Sequence, residues 1–341
     1  MKIIIDVYGG DHSPHEMVKG AIEAINEKEG FDIVLVGKEG EINSILQNET
    51  YDKTRVMVEN ATEVITCEES PTEAIRVKKD SSIVRAVKIL KEDENAKALV
   101  SAGSTGAVLS ASVILSRRIK GVFRPALAPC LPNMKDGETM LLDCGANVDC
   151  KANWLVQFAI MGSVYMREVK GVKNPRVALL SNGTEDEKGN MLNHEVFPVL
   201  KAMKGINFIG NIEARDLISG EQDVVVCDGF SGNVALKSLE GGISCMLKAI
   251  KDGIYGSVSG KIGGMFLKKT FSDLKAKLDY NNKGGALFLG VNKAVIKAHG
   301  SSKRLAFKNA VLQAVDYAGF NIADRITAKL ETAGETGEVN Q

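Results

Sequence analysis

Short β-branched and aliphatic runs recur along the chain. Each ends in glycine or small polar residues and is followed by apolar positions at helical spacing. The runs are Lys2–Asp6, Ile33–Gly37, Ala98–Ala102, Thr139–Asp143, Arg176–Ser181 and Asp223–Asp228. Alternation of this kind predicts a mostly parallel sheet covered by helices, and an unbroken run such as Val224-Val225-Val226 fits a strand buried on both faces. The expected class is therefore α/β, doubly wound. In such sheets ligands gather beyond the carboxyl ends of the strands, where loop amides and helix N-termini converge.

One stretch departs from the alternation. From Asn233 to Tyr280, Val234, Leu236, Leu239, Ile243, Met246, Leu247, Ile250 and Ile254 recur at helical spacing; after a glycine- and serine-rich break, Ile262, Phe266, Phe271, Leu274 and Leu278 follow. This predicts a helical hairpin over 233–280, inserted in a single α/β domain spanning 1–341. Lysines 248, 251, 261, 268, 269, 275 and 277 outnumber Asp252 and Asp273 there, a local basic excess. Residues 331–341 are small, polar and acidic, and are expected to fray.

Composition narrows the class. The 341 residues are 44% hydrophobic and 25% charged, with 43 basic side chains balancing 43 acidic ones, which excludes disorder, collagen and a nucleic-acid-coating protein. The apolar run after Met1 is too short for a secretory signal. Ala98–Ser116 lacks charge, but Ser101, Gly103, Ser104, Thr105 and Gly106 break its apolarity, so strand, loop and helix are expected there instead of a membrane span. The six cysteines (67, 130, 144, 150, 227 and 245) form no Cys-x-x-Cys pair, and reduced cytoplasmic thiols are the default.

The strand ends hold the candidate chemistry. In Asp6-Val7-Tyr8-Gly9-Gly10-Asp11-His12, paired glycines let backbone approach a ligand, and Asp11 can orient His12 as acid, base or phosphate donor; a tight turn with capping residues is the plainer alternative. Pro14 stands between His12 and His15, so no metal is expected. The turn Ser101–Ala107, with Ser104, Thr105 and Gly106, offers amides and hydroxyls to an anion; close packing of strand on helix would also demand small residues. No Walker loop or dinucleotide fingerprint occurs.

The turns Asp143–Asn147, Asn182–Asn190 and Cys227–Asn233 repeat the theme, and together they suggest a site for a small anion and a carbonyl. Lys188 is their one cation and can equally be a solvated lysine. Cys144 and Cys227 lack an adjacent histidine and read as structural. His299-Gly300-Ser301 can return a neutral imidazole and hydroxyl to the same edge, or simply pack there.

Taken in order, these stretches resemble the bacterial phosphate acyltransferases, the acyl-ACP:phosphate transacylases. The matching residues are Asp6-x-x-Gly-Gly-Asp-His12, Arg76-x-Lys78-x-Asp80-Ser81-Ser82, Ser101–Ala107, Asp143-x-Gly-Ala-Asn147, Gly183-Thr-Glu-x-x-Lys-Gly-Asn190, Asp228-Gly-Phe-x-Gly-Asn233 and His299-Gly-Ser-Ser302. Tyr8, Ala214 and Leu287-Phe288 depart from the family's usual methionine, glycine and Pro-Leu.

The resemblance implies a Rossmann-like three-layer α/β/α homodimer, similar in fold to phosphotransacetylases and isocitrate dehydrogenases. It implies transfer of a fatty acyl group from acyl carrier protein to inorganic phosphate without a cofactor, at the cytoplasmic membrane surface, feeding the membrane glycerol-3-phosphate acyltransferase. On this reading Lys188, Asn233 and His12 act on phosphate and the thioester oxyanion. Asp11 and Asp228 orient them. Gly10, Ser104, Thr105, Gly106, Asp143, Asn147, Thr184, His299 and Ser301 line the substrate site. In the hairpin, Lys248, Lys251, Ile254, Lys261, Met265, Phe266, Lys268 and Lys269 would meet acidic carrier protein or anionic lipid, with dimerisation through the apolar stripe as a compatible alternative. A short-chain phosphotransacylase acting on acyl-CoA, an NAD-dependent dehydrogenase on the related fold and a non-catalytic lipid or carrier-binding module are the competing readings.

Overall fold

A computed structural model describes residues 1–66, 68–278 and 284–335. Cys67, residues 279–280 of the expected hairpin and 336–341 of the expected tail lie outside these. In chain order the strands are β1 (Lys2–Asp6), β2 (Asp32–Gly37), β3 (Val56–Asn60), β4 (Ala96–Ser101), β5 (Ala126–Ala128), β6 (Cys130–Pro132), β7 (Glu138–Leu142), β8 (Arg176–Ser181), β9 (Asn207–Glu213), β10 (Val224–Val226), β11 (Ala286–Leu289) and β12 (Ala294–Lys297). The helices are α1 (His15–Glu27), α2 (Glu39–Leu46), α3 (Pro71–Val77), α4 (Ser82–Glu92), α5 (Thr105–Ala111), α6 (Ala152–Glu168), α7 (Met191–Ala202), α8 (Gly229–Tyr255), α9 (Val258–Leu278), α10 (Arg304–Ala318) and α11 (Ile322–Glu335).

The strands form two sheets where the sequence suggested one edge. One is seven-stranded, β3-β2-β1-β4-β12-β11-β5, and the other five-stranded, β6-β7-β10-β8-β9. Both are mostly parallel; β11 runs antiparallel to β12 and β5, and β6 to β7. The sheets meet where β5 lies beside the end of β7: the Cys144 amide donates to the Leu127 carbonyl at 3.0 Å, and the Leu127 amide donates to Asp143 Oδ1 at 2.9 Å. The anticipated strand-end loops are thus shared between two sheets that face one cleft.

Burial follows the pattern. Ile3, Ile4 and Ile5 are fully buried, as a central parallel strand requires. α6 is apolar almost all round and is buried from Leu155 to Met166, because helices and strands pack on several of its sides. α1 crosses α10 at Gly20, where a Cβ would come within 2.7 Å of the Arg304 carbonyl oxygen.

Two boundaries differ from expectation. α11 continues to Glu335 with Ala333 buried, so the first five residues of the segment expected to fray are helical. α8 starts at Gly229, four residues before the expected hairpin, because Asp228 caps it: its Oδ1 accepts from the Ser231 amide at 2.8 Å. What read as a glycine turn is the first turn of a 27-residue helix.

Candidate active site

Three loops of the seven-stranded sheet are packed together by glycines. At Gly9, with φ of +89°, a Cβ would lie 2.4 Å from Gly103 Cα; at Gly10 it would meet the Ala102 side chain and the Gly300 carbonyl oxygen. Gly10 is therefore a contact between loops. Beneath them Asp6 is buried and accepts from the Ser101 hydroxyl at 2.7 Å, whose oxygen in turn accepts from the Gly103 amide at 3.0 Å. Burial pushes the Asp6 pKa up, and Ser101, Ser82 and the nearby Lys297 ammonium pull against it.

On the five-stranded sheet, Asp143 organises the matching turn. Its Oδ1 accepts from the Leu127, Gly145 and Ala146 amides at 2.9, 3.2 and 3.0 Å, and its Oδ2 from the Asn147 amide and side-chain Nδ2 at 2.7 and 2.9 Å. Asn147 Nδ2 also donates to the Pro125 carbonyl at 2.8 Å. With Asp143 fully buried, these contacts hold the loop together. Burial raises the Asp143 pKa, against the pull of its donors.

Between the two loop clusters lies a cavity of about 250 Å3. Thr105, Asn233 and His299 line it, as expected, and so do Lys237, Glu240 and Lys297, which the motif reading passed over. Leu127, Pro129, Leu236 and Ala286 supply apolar wall.

The polar groups are held from outside. Asn233, in the cavity lining, is anchored by its Nδ2, which donates to the Cys144 carbonyl at 3.1 Å. Lys237 Nζ pairs with Glu240 Oε2 at 2.8 Å. The Lys297 side chain, 9% exposed, donates to the Ala102 carbonyl at 3.3 Å and to that of Ala298, which places an ammonium in the cavity floor.

His299 faces Lys237. The Ser301 amide can only donate, and it does so to His299 Nδ1 at 3.3 Å, with the Ser301 hydroxyl 2.8 Å from the same nitrogen. The ring proton is thereby assigned to Nε2, 3.5 Å from Lys237 Nζ. Burial, and then the Lys237 ammonium, hold the imidazole below its usual pKa and keep it neutral at pH 7. Lys237, ion-paired to Glu240, and His299 thus stand side by side in the cavity lining.

Several expected residues stand elsewhere. Lys188 is exposed and outside the cavity lining, in the turn after β8 that also carries exposed Thr184. His12 is exposed and also outside the lining, and among the described residues no side-chain hydrogen bond joins it to Asp11. The Asp11 amide instead donates to the Gly300 carbonyl at 2.8 Å, and its carboxylate acts on His299. Asp228 is the cap of α8, with both oxygens on Ser231, so orienting His12 or Lys188 is not its task. Ser104 precedes α5, and Gly106 packs on Pro71. Burial pushes the Cys144 and Cys227 thiols far up, which excludes a resting thiolate at either.

In the hairpin, Ile262, Met265 and Phe266 are exposed, Phe266 at 83%, and Lys261 and Lys269 are exposed near them. Lys248, Lys251, Ile254 and Lys268 instead line a groove between α8 and α9. No helix among the described residues is long and apolar enough to cross a membrane.

Sequence left two signals for the missed groups. Lys297 interrupts the apolar run Val295-Ile296-Lys297-Ala298, an anomaly in a buried strand, and Lys237 and Glu240 form an i,i+3 pair just after the Asp228–Asn233 motif.

Comparison with known proteins agrees with this architecture. A phosphotransacetylase from Streptococcus pyogenes superposes with a TM-score of 0.62 at 16% identity, over 93% of this chain and 94% of that one. A second, from Staphylococcus aureus, gives 0.59 at 15% over the same shares. At such identity the likeness shows the shared three-layer α/β/α fold.

In sequence, the chain is 49% identical over 331 residues to a phosphate acyltransferase of Clostridium novyi, covering 97% of this chain and 99% of that one. It is 45% identical over 338 residues to one of Dictyoglomus thermophilum, covering 99% and 100%. The model of the family described as "Fatty acid synthesis protein" matches residues 1–325. With fold, motif order and near full-length relatives in agreement, the chain belongs to the bacterial phosphate acyltransferase family.

Proposed function

We propose that this protein transfers a fatty acyl group from the thioester of acyl carrier protein to inorganic phosphate, giving acyl phosphate for phospholipid synthesis. A phosphate oxygen attacks the thioester carbonyl carbon, the oxyanion collapses, the C–S bond breaks, and the carrier thiolate leaves and takes up a proton. Phosphate dianion is already nucleophilic and a thiolate leaves readily, so the protein has to position the reactants and stabilise charge.

The observation that carries this reading is the cluster of Lys237 Nζ, ion-paired to Glu240, and His299 Nε2, 3.5 Å apart in a cavity whose floor holds the Lys297 ammonium. Their positive potential suits phosphate, and the Asn233 amide suits the thioester oxygen. Lys188, on the exposed turn after β8 and outside the cavity lining, keeps its proposed role as a further cation for phosphate. His299 takes the histidine role that the motif reading gave to His12. The exposed hairpin residues Lys261, Met265, Phe266 and Lys269 suit acidic carrier protein and an anionic membrane surface, and the rest of the apolar stripe suits a homodimer. Acyl phosphate would then pass to a membrane-bound glycerol-3-phosphate acyltransferase.

The test is phosphate-dependent release of carrier thiol from palmitoyl-ACP, without added metal or nucleotide and with palmitoyl-CoA in parallel. Turnover of the carrier thioester is expected. Turnover of the CoA thioester alone would make the protein a short-chain phosphotransacylase, and silence with both would leave a binding module.

A further inference from the structure

The last residues of three neighbouring parallel strands form a polar row. Asp6 of β1 pairs in register with Ser101 of β4, and Ser101 with Lys297 of β12. Residues paired in register point to one face of a sheet whose strands stand about 4.8 Å apart, so the hydroxyl lies between the carboxylate and the lysine stem. One step earlier on that face the same strands carry Ile4, Leu99 and Val295, all fully buried. The polar row is buried as well, with Lys297, at 9%, its most exposed member. Charged side chains are seldom buried so deeply unless they answer one another.

Asp6 is held from three sides. Its Oδ2 accepts from the Ser101 hydroxyl at 2.7 Å, its Oδ1 from the Tyr8 amide at 3.3 Å, and the buried Ser82 hydroxyl at the start of α4 donates to it too. This gives the Asp80-Ser81-Ser82 stretch a task behind the site. Lys297 leans the other way, with its ammonium on the Ala102 and Ala298 carbonyls in the cavity floor, and the two charges act on each other. Arg85 of α4 is turned to Glu59 and Asp80. Around the cavity the remaining titratable groups are Lys237 and Glu240 of α8, paired together, His299, and Asp11 acting on His299.

We propose that Asp6 is a positioning residue for the transfer, the buried counter-charge that keeps the Lys297 ammonium charged and fixed in the cavity floor. The inference rests on the transfer reading above and adds what maintains its cation. A lysine taken out of water gives up its proton readily unless an anion stands near. A carboxylate inside the cavity would repel phosphate. Asp6 avoids this because it lies outside the cavity lining, behind the Ser101 hydroxyl.

The test compares wild type with Asp6→Asn, which keeps the shape and still accepts from Ser101, with Lys297→Met, and with the double variant. NMR of lysines isotopically labelled at Cε follows the Lys297 titration directly, its signal identified by its absence from Lys297→Met. In Asp6→Asn the midpoint is expected to fall by at least about one pH unit. The phosphate KM of Asp6→Asn relative to wild type should then climb with pH above about 8. Lys297→Met should show its full loss at every pH, and adding Asp6→Asn to it should change KM by less than about twofold.

An unmoved Lys297 midpoint would overturn the proposal, and so would a KM penalty that Asp6→Asn adds undiminished to Lys297→Met. Urea midpoints cover misfolding: Asp6→Asn alone should be destabilised by the buried ammonium it leaves, and the double variant should regain part of that loss. No recovery, or a double variant that fails to fold, would also overturn the pairing. Wild-type silence with both thioester donors would strike the transfer reading instead, and the Lys297 midpoint would still decide whether Asp6 governs its charge.

Discussion

The Asp143 turn and the Lys237–His299 pair face the same cleft and treat hydrogen bonds in opposite ways. Around Asp143 both carboxylate oxygens are filled by the protein's own N–H groups, and the residue is wholly buried. At the pair, an ammonium that spends one donor on Glu240 and an imidazole steadied by Ser301 stand 3.5 Å apart in the cavity lining. As sequence, Asp143 and His299 looked alike: a polar residue at a strand end close to a glycine. The difference teaches that a satisfied polar group is scaffold, whereas donors held rigidly with capacity to spare are where an anion is stabilised.

Substitutions should separate the two regions. Asp143→Ala leaves buried amides unpaired along the seam between the sheets and is expected to cost on the order of 4 kcal/mol of stability. The urea midpoint reads this directly, and activity should fall only as far as the folded fraction does. Lys237→Met is expected to lower kcat/KM for phosphate about 10²–10³-fold with an almost unchanged urea midpoint. A comparable stability loss in both variants would erase the contrast. Lys188→Ala, from an exposed turn, should raise the phosphate KM roughly tenfold through loss of one charged contact and leave the KM for the acyl carrier alone; an equal rise in both would refute a phosphate role.

The smallest effect concerns pH. Because the folded His299 pKa lies below the usual 6.5, the unfolded chain takes up this proton first on acidification. Its contribution is whole above about 6.5 and is lost as pH falls through the folded value. Thermal melts of His299→Gln should accordingly decline less between pH 7 and pH 5 than those of the parent; parallel curves would show that the imidazole is not held neutral.

How far the sequence was legible depends on the range of the forces involved. Strand cores such as Ile3-Ile4-Ile5 and Val224-Val225-Val226 announce themselves because burial on both faces is written locally in residue type. The split into two sheets is not, since it depends on pairings such as β12 with β4, nearly two hundred residues apart in the chain. The hairpin was visible by its period, but its start was misplaced: Gly229-Phe230-Ser231-Gly232 has turn composition, and only the Asp228 cap makes it helix. The family motifs named Asn233 and His299, and the fold brings both to the cavity lining. They could not show that Asp143 and Asp228 spend their oxygens on neighbouring amides and side chains, or that Lys237 and Lys297, outside the motif cores, supply the charge.

The strand order of the larger sheet also bears on how the protein is made. β11 and β12 are translated after almost everything else, yet they lie in the middle, between β4 and β5. An emerging chain therefore carries two hydrophobic strand edges, on β4 and β5, through most of its synthesis, and neither can be sealed before residues 286–297 leave the ribosome. His299 arrives in the same stretch, so enzyme activity and closure of the sheet come into being together. Until that moment the nascent protein exposes unpaired, aggregation-prone strand edges and is not yet a catalyst.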